Sequence, residues 1–298
     1  MKYLIMIFIL SGHVIAAESD PFTVRNWHFV DVTEQLNVEV QRRMELALIK
    51  TNEVSGCRIK KLQNEMGKVL KRPIIGQVED WVNHSNLPGN RVTLKDSIYR
   101  DSTFFQSTGL HMTEASMAPV IMLNGEIVGT DKLGHFFDEG WALYSIYRKK
   151  KNLEASLNYS EKTENGIFGM MAAGIESYAD KVANFHGLTF WSDLVGEGYT
   201  SKKSPYFKCE DEHFVMIRKF DWADYVDGAW DESINCNRFR PGDFEVNVLN
   251  HIKELGMTCP VEPEKCVDAA ARYGELRNHL LHPTCLQNQE KISSQSKD

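Results

Sequence analysis

Beyond its first ten residues the chain has no long apolar run, it has no basic stripe that could neutralise a row of phosphates, and it lacks the short motifs of several hydrolase classes. The first absence excludes a later membrane helix, which needs roughly 20 consecutive apolar residues. The second excludes a phosphate-tracking surface. With 34 Lys+Arg against 41 Asp+Glu the formal charge is -7, and nucleic acid is not an expected partner. No G-x-S-x-G elbow is present for a serine nucleophile, no H-E-x-x-H for a zinc protease and no C-x-x-C for a thiolate metal site. What is there is an average globular composition, 42% hydrophobic and 25% charged, which excludes wholesale disorder, collagen and coiled coil.

The start of the chain reads as a leader. Lys2 supplies the positive end, Tyr3 to Leu10 the apolar run, and Val14-Ile15-Ala16 the small or short residues before a cut near Ala16. Ser11, Gly12 and His13 interrupt the run before it reaches bilayer length, and the segment has no Cys for a lipid anchor. The expectation is a signal peptide over 1–16 and an exported protein, periplasmic or secreted. Six cysteines follow (Cys57, Cys209, Cys236, Cys259, Cys266, Cys285), an even number that in an exported chain favours three disulfides over metal ligation. Spacing does not choose among the pairings, although Cys259 and Cys266 enclose a short loop with Pro260 and Pro263 that allows a local closure.

Apolar spacing predicts a helix over 34–53, with Leu36, Val40, Met44, Leu48 and Ile49 on one side and Asp31 or Thr33 as its N-cap. A second is expected over 58–71 and a short third around Trp81, followed by a loop over 83–90. Asn124-Gly125 sits between two apolar runs, the pattern of a two-residue β-hairpin turn. From Asp131 to Lys150 the spacing becomes helical, and Asp131 suits the positive end of the helix dipole. A polar linker over 158–165, a helix over 166–186, a loop-rich stretch beyond Trp191 and a last helix over 264–279 complete the reading. The expected fold is mainly α: one disulfide-stabilised helical domain over 17–287 with a small β-hairpin, then a disordered tail over 288–298.

Two helices carry candidate chemistry. On the first, Leu133, Phe136, Phe137, Gly140, Tyr144 and Tyr147 gather on a core side, while Asp131, His135 and Glu139 recur at i, i+4 and i+8 on the other. Those three polar groups either share a cleft or form a solvated face. On the second, Gly169, Ala172, Ala173, Glu176, Asp180, Ala183 and Gly187 form a stripe of small residues holding two carboxylates. Such a stripe admits another helix or a flat polymer such as a sugar chain, and an acid held there tends toward a raised pKa.

The segments Gly129-Thr130-Asp131-Lys132-Leu133-Gly134-His135-Phe136-Phe137, Gly174-Ile175-Glu176-Ser177-Tyr178-Ala179-Asp180, Ala183-Asn184 with Gly187, Asp224-Tyr225-Val226, Trp230-Asp231-Glu232 and Asn235-Cys236 resemble an exported bacterial family. That family includes lysozymes of predatory bacteria that act on deacetylated peptidoglycan. The likeness runs from about Tyr99 to Cys236, with a weaker echo in the N-terminal helices. It implies a lysozyme-like helical fold, a monomer, peptidoglycan glycan strands as partner and no cofactor or metal.

Glycoside cleavage needs a carboxylic acid still protonated at working pH and usually a second carboxylate. Glu139, with His135 one turn before it, is the leading candidate for the acid. Glu176 is the rival, because Glu176-Ser177 is similar to the Glu-Ser pair that opens the active-site motif of lytic transglycosylases, although the Gly-rich stretch that follows in those enzymes is absent. Asp131, His135, Ser177, Asp180, Trp222, Tyr225 and Asp231 are expected to support the acid or touch the sugar. Three alternatives compete: a non-catalytic glycan-binding protein, a metal hydrolase using His135 and Glu139 with His186 or His111, and a solvated surface. Asp221, Asp224, Asp227, Asp231 and Glu232 contribute five carboxylates within residues 221–232 with no base among them. Loss of Lys2 with the leader takes -7 to -8. An acidic cleft is expected to favour glycan whose amino sugars carry free, cationic amines.

Overall fold

The computed structural model describes residues 18–73, 75–102, 114–166, 169–171 and 173–287, so the expected leader over 1–16, the tail over 288–298 and His111 lie outside the described residues. The described chain is mainly helical. Helix α1 (Thr33–Asn52) buries Leu36, Val40, Met44 and Ala47, one residue per turn, and packs on α2 (Ile59–Leu70), which buries Leu62, Met66 and Leu70. The N-cap of α1 is Val32, which offers no side-chain bond, rather than Asp31 or Thr33, although Asp31 just before it accepts the Thr33 amide at 2.8 Å. Helix α3 (Gln77–His84) follows, with Glu79 reaching back to the Gly76 amide at 3.1 Å.

Strands β1 (Val120–Leu123) and β2 (Glu126–Gly129) pair antiparallel through the expected two-residue turn. Asn124 and Gly125 both take positive φ, 52° and 75°, which matches the right-handed twist of a hairpin. The hairpin feeds α4 (Asp131–Gly134), then a π-helical turn over His135–Glu139, then α5 (Gly140–Lys150). Gly140 donates its amide to the His135 carbonyl, five residues back. That extra residue in the turn is the physical difference from the regular helix expected here.

The stretch after Lys150 departs most from the sequence reading. The polar segment 158–165 belongs to a helix, α6 (Leu153–Glu164), capped by Asn152, whose side chain accepts the Ala155 amide at 3.0 Å. Of the helix expected over 166–186 only the part from Tyr178 onward forms; before it the described residues hold turns and strand β3 (Ile175–Glu176). Helix α7 (Tyr178–Asp193) begins only after Ser177, whose hydroxyl accepts the Asp180 amide at 3.1 Å. Gly169 packs against the Glu164 carbonyl, and Gly174 has φ of 80°, so the chain bends where a continuous helix was expected. Glu176 and Asp180 therefore do not lie on one helical stripe.

Helix α7 is buried along its whole length and is the central strut, packed against α5, α6 and the π-helical turn. A second hairpin, β4 (Phe207–Glu210) and β5 (His213–Met216), lies in the region read as loop. Strand β6 (Arg238–Phe239) pairs with β3, and α8 (Asp243–Glu254), α9 (Pro263–Tyr273) and α10 (Arg277–Leu280) close the chain. No helix among the described residues is long and apolar enough to cross a membrane.

All six cysteines pair, Cys57 with Cys209, Cys236 with Cys259 and Cys266 with Cys285. The local Cys259–Cys266 closure does not form. Each of these two residues instead ties the α8–α9 region to a different partner.

The end of the small-residue stripe is used for helix packing. A Cβ on Gly187 would fall 1.9 Å from the Phe136 carbonyl oxygen and 2.8 Å from the Gly140 Cα, so α7 meets the π-helical turn backbone to backbone. Gly187→Ala is expected to cost about 3 kcal/mol, since the obstacle is main chain and cannot rotate away. Chemical denaturation of the variant checks this value, and an unchanged midpoint would show that the two helices slide apart freely.

Candidate active site

The site is built around two cations. Lys132, fully buried in α4, reaches Asp131 Oδ2 at 2.6 Å, Asp180 Oδ1 at 2.7 Å and the Glu232 carboxylate. Glu232 also accepts from Ser19 Oγ at 3.1 Å and from Asn237 Nδ2 at 2.7 Å. Glu18 packs into the same cluster, and burial together with Glu232 and Asp180 pushes its carboxyl well above the usual range. His135 is the second cation. Its Nε2 lies 3.2 Å from Asp180 Oδ2, its Nδ1 lies 3.1 Å from Asn184 Oδ1, and Glu164 Oε1 stands 3.9 Å away. Burial alone would lower its pKa, but Asp180, Glu164 and Glu139 together carry it up to about 10, so the ring is an imidazolium at neutral pH.

Carboxyls outnumber these cations. Glu79, whose approach is allowed by the missing side chain of Gly134, is raised to about 8 by burial and then by Asp131. Glu164 is raised to about 8 by burial and Asp180, Asp138 to about 7 by burial and Glu139, and Glu232 to about 7 by burial against the pull of Lys132. Glu139 is raised by burial, with His135 opposing. Asp180 goes the other way: burial would raise it, but His135 and Lys132 on either side hold it below the ordinary carboxylate range. The site thus keeps proton-carrying acids beside an ionised Asp180, the separation of roles that acid–base catalysis uses.

Access separates these acids further. Asp131, Glu164, Asp180 and Glu232 are buried, whereas Glu139, Asp138 and His135 are only partly covered and form the edge that solvent reaches. The π-helical turn presents this edge. A run of residues held out of regular α geometry often marks a functional position.

This electrostatic arrangement fixes how stability depends on pH. Glu79, Glu164, Asp138, Glu232 and His135 all titrate higher in the folded protein than in the unfolded chain, so the folded state holds more protons. For each group the stabilising protonation is fully present below its unfolded pKa and is lost as pH rises through the folded one. The midpoint of thermal unfolding is therefore expected to fall steadily between pH 5 and pH 10, by about 10 °C in all. A flat profile over that window would contradict the protonation states described above.

The other sequence candidates lie differently. Glu176 is fully buried, with its two carboxylate oxygens held by Lys181 and by Arg238, the latter at 2.6 Å. Ser177 is the cap of α7. Trp222 and Tyr225, expected to touch sugar, are buried in the aromatic core around Phe136, and Tyr225 exchanges a 2.8 Å hydrogen bond with Tyr206. Asp231 is buried against Arg25 and turns the chain by accepting the Ser233 amide at 2.8 Å. The acidic run is not an open patch. Asp224 pairs with Lys203 and Arg218, Asp227 with Arg272, Asp231 with Arg25 and Glu232 with Lys132, while Asp221 bonds Asn37. The bases it lacks in sequence arrive from other segments of the chain.

Asp131, His135 and Asp180 bring one ligand atom each within 4.8 Å of one another, a spacing a metal ion accepts. Lys132, however, already bridges both aspartates, so a protein cation supplies the charge at this point. Glu18, Glu79 and Glu164 were absent from the sequence reading, since each reaches the cluster from a segment remote from the Asp131 helix. Comparison with known protein families, curated sequences and solved structures finds no match for this chain.

Proposed function

We propose that the protein is a glycoside hydrolase of the lysozyme type, with a lysozyme-like helical fold, acting on cell-wall peptidoglycan as an exported monomer without a cofactor. One observation carries the reading: Glu139 is, with Asp138, one of two partly exposed members of a buried carboxyl cluster, held toward its protonated form by burial and set beside the His135 imidazolium. A protonated Glu139 donates to the glycosidic oxygen as the bond to the anomeric carbon breaks. The carboxylate left behind is stabilised by His135, whose charge Asp180 and Glu164 maintain. Water then supplies hydroxide to the anomeric carbon and returns a proton to the carboxyl cluster. The ion pairs of Glu176 with Lys181 and Arg238 suit a structural part, which favours Glu139 over its rival. The resemblance noted in the Gly129–Phe137 and Gly174–Asp180 segments supports the same assignment.

Substrate preference follows from the charge of this cluster. Of the eight carboxyls around Lys132 and His135 (Glu18, Glu79, Asp131, Asp138, Glu139, Glu164, Asp180, Glu232), Glu18, Glu79 and Glu164 keep their protons at neutral pH, but Asp138, raised only to about 7 and standing at the exposed edge, is half ionised there, so a ligand bearing positive charge is favoured beside it. This argument replaces the one from the acidic run, whose members are paired. Deacetylated wall is expected to be cleaved several-fold faster than acetylated wall at low ionic strength, with the gap closing as salt is added. Release of reducing ends from the two wall preparations measures it. Equal rates at low salt would remove the charge preference, and binding of wall without release of fragments would favour the non-catalytic glycan-binding alternative.

A further inference from the structure

His186, considered above only as a rival metal ligand, has a defined role in the geometry. It lies on α7, on another face from Asp180 and Asn184, and is 5% exposed. The Trp230 indole N–H donates to its Nδ1 at 2.9 Å. An indole nitrogen only donates, so Nδ1 carries the lone pair and the imidazole proton sits on Nε2. No described residue hydrogen-bonds that Nε2, and His186 lines a pocket of about 360 Å³. The histidine is thus a fixed donor with its Nδ1 edge closed by Trp230 and its Nε2 edge left for whatever fills the pocket.

The walls are aromatic. Phe185, Tyr199 and Tyr273 line the pocket, with Phe185 and Tyr199 ring centroids 5.8 Å apart and His186 and Tyr273 centroids 5.7 Å apart. The rim is basic. Lys203 is paired with Asp224 and Arg272 with Asp227, but Lys202, exposed and at positive φ, has no ion-pair partner among the described residues. The volume is at the lower end for a small-ligand site. A buried donor, flat aromatic walls set among hydroxyl groups and one uncommitted cation at the mouth select a small ring that carries an anion.

We propose that this pocket binds a single sugar ring bearing a carboxylate, which accepts from His186 Nε2–H and is drawn in by Lys202 while the ring lies against Tyr199 and Tyr273. Given the wall-glycan reading, the sugar of that chemistry is a muramyl residue with its lactyl carboxylate. Only this choice of sugar rests on that reading. The site is separate from the Glu139 edge, so it holds a muramyl residue whose lactyl carboxylate is free of a peptide stem, without taking part in bond cleavage.

The test uses the full mature chain with histidine side chains labelled with nitrogen-15, titrated with N-acetylmuramic acid and, separately, with N-acetylglucosamine, which has the same ring without the lactyl carboxylate. The His186 Nε2 resonance is expected to move saturably with the first and not with the second. Lys202→Ala, a surface change, is expected to weaken that response at least about threefold, and His186→Phe, which removes the reporter nucleus, is expected to abolish the heat of N-acetylmuramic acid binding measured by calorimetry. No movement at His186, an equal response to both sugars, or a response unaffected by Lys202→Ala overturns the proposal. Wall lysis measured on the same preparation reports on Glu139 independently. A silent pocket in a lytic protein overturns the pocket alone, and saturable binding by a protein that never lyses wall overturns only the catalytic reading.

Discussion

Glu139→Gln is expected to lower the rate of wall lysis by about 10³-fold while the protein still folds, because the amide keeps the shape of the side chain but has no proton to give. The partly exposed position of Glu139 makes the change mild for stability, and removal of one acid from a cluster rich in them relieves like-charge repulsion. Glu176→Gln is expected to behave in the opposite way. It leaves the buried Lys181 with a neutral partner, while Arg238, half exposed, turns to water, so it should lower the unfolding midpoint, with any loss of lysis following the loss of folded protein. Lysis by purified, folded Glu139→Gln at the wild-type rate, with folded Glu176→Gln inert, would move the acid role to Glu176.

Lys132→Met is expected to be strongly destabilising. The ammonium is enclosed and bridges Asp131, Asp180 and Glu232, and methionine fills much of the same volume without the charge. Three carboxylates are then left facing one another away from water, a loss of about 3 to 5 kcal/mol. The loss is itself dependent on pH. Protonation removes the repulsion, so the deficit in unfolding midpoint should be large at pH 8 and should shrink at pH 5. Thermal melts at both values test it, and a variant within about 2 °C of wild type at pH 8 would show that Lys132 is not the electrostatic hinge of the site.

The local elements were legible where one rule decided them. Asn124-Gly125 demanded positive φ twice and gave the hairpin, and the Leu36–Val40–Met44 spacing gave α1 within a residue. The helix over Asp131–Lys150 was also legible, but the π-helical turn inside it was not, because its extra residue is set by how Gly140 and Phe136 meet Gly187 on a distant helix. Other misses had signals that went unused. Asn152 caps α6, Ser177 caps α7, and Phe244, Val248 and Ile252 recur at helical spacing in α8.

The candidate site was half legible for a related reason. Asp131, His135 and Glu139 are neighbours along one helix, so periodicity grouped them. Their partners Glu18, Glu79, Glu164 and Glu232 arrive from other segments, and no local pattern joins them. The aromatic residues misled in the reverse direction. Trp222 and Tyr225 sit in a stretch rich in acids and turns, which suggested a wet surface, yet ion pairs to Lys203, Arg218, Arg25 and Lys132 carry those acids while the rings pack inward.

The Cys57–Cys209 bridge has a sequence separation of 152 and encloses α3, the first hairpin and every helix that supplies Asp131, His135, Glu139, Glu164 or Asp180. This topology means that one proteolytic cut anywhere inside the ring leaves both fragments covalently joined. Nicked molecules would migrate as one species on a non-reducing gel and separate only when reductant is added. A single break in the ring therefore holds the helices carrying the acid cluster within reach of each other, and inactivation by proteolysis becomes a matter of at least two cuts there.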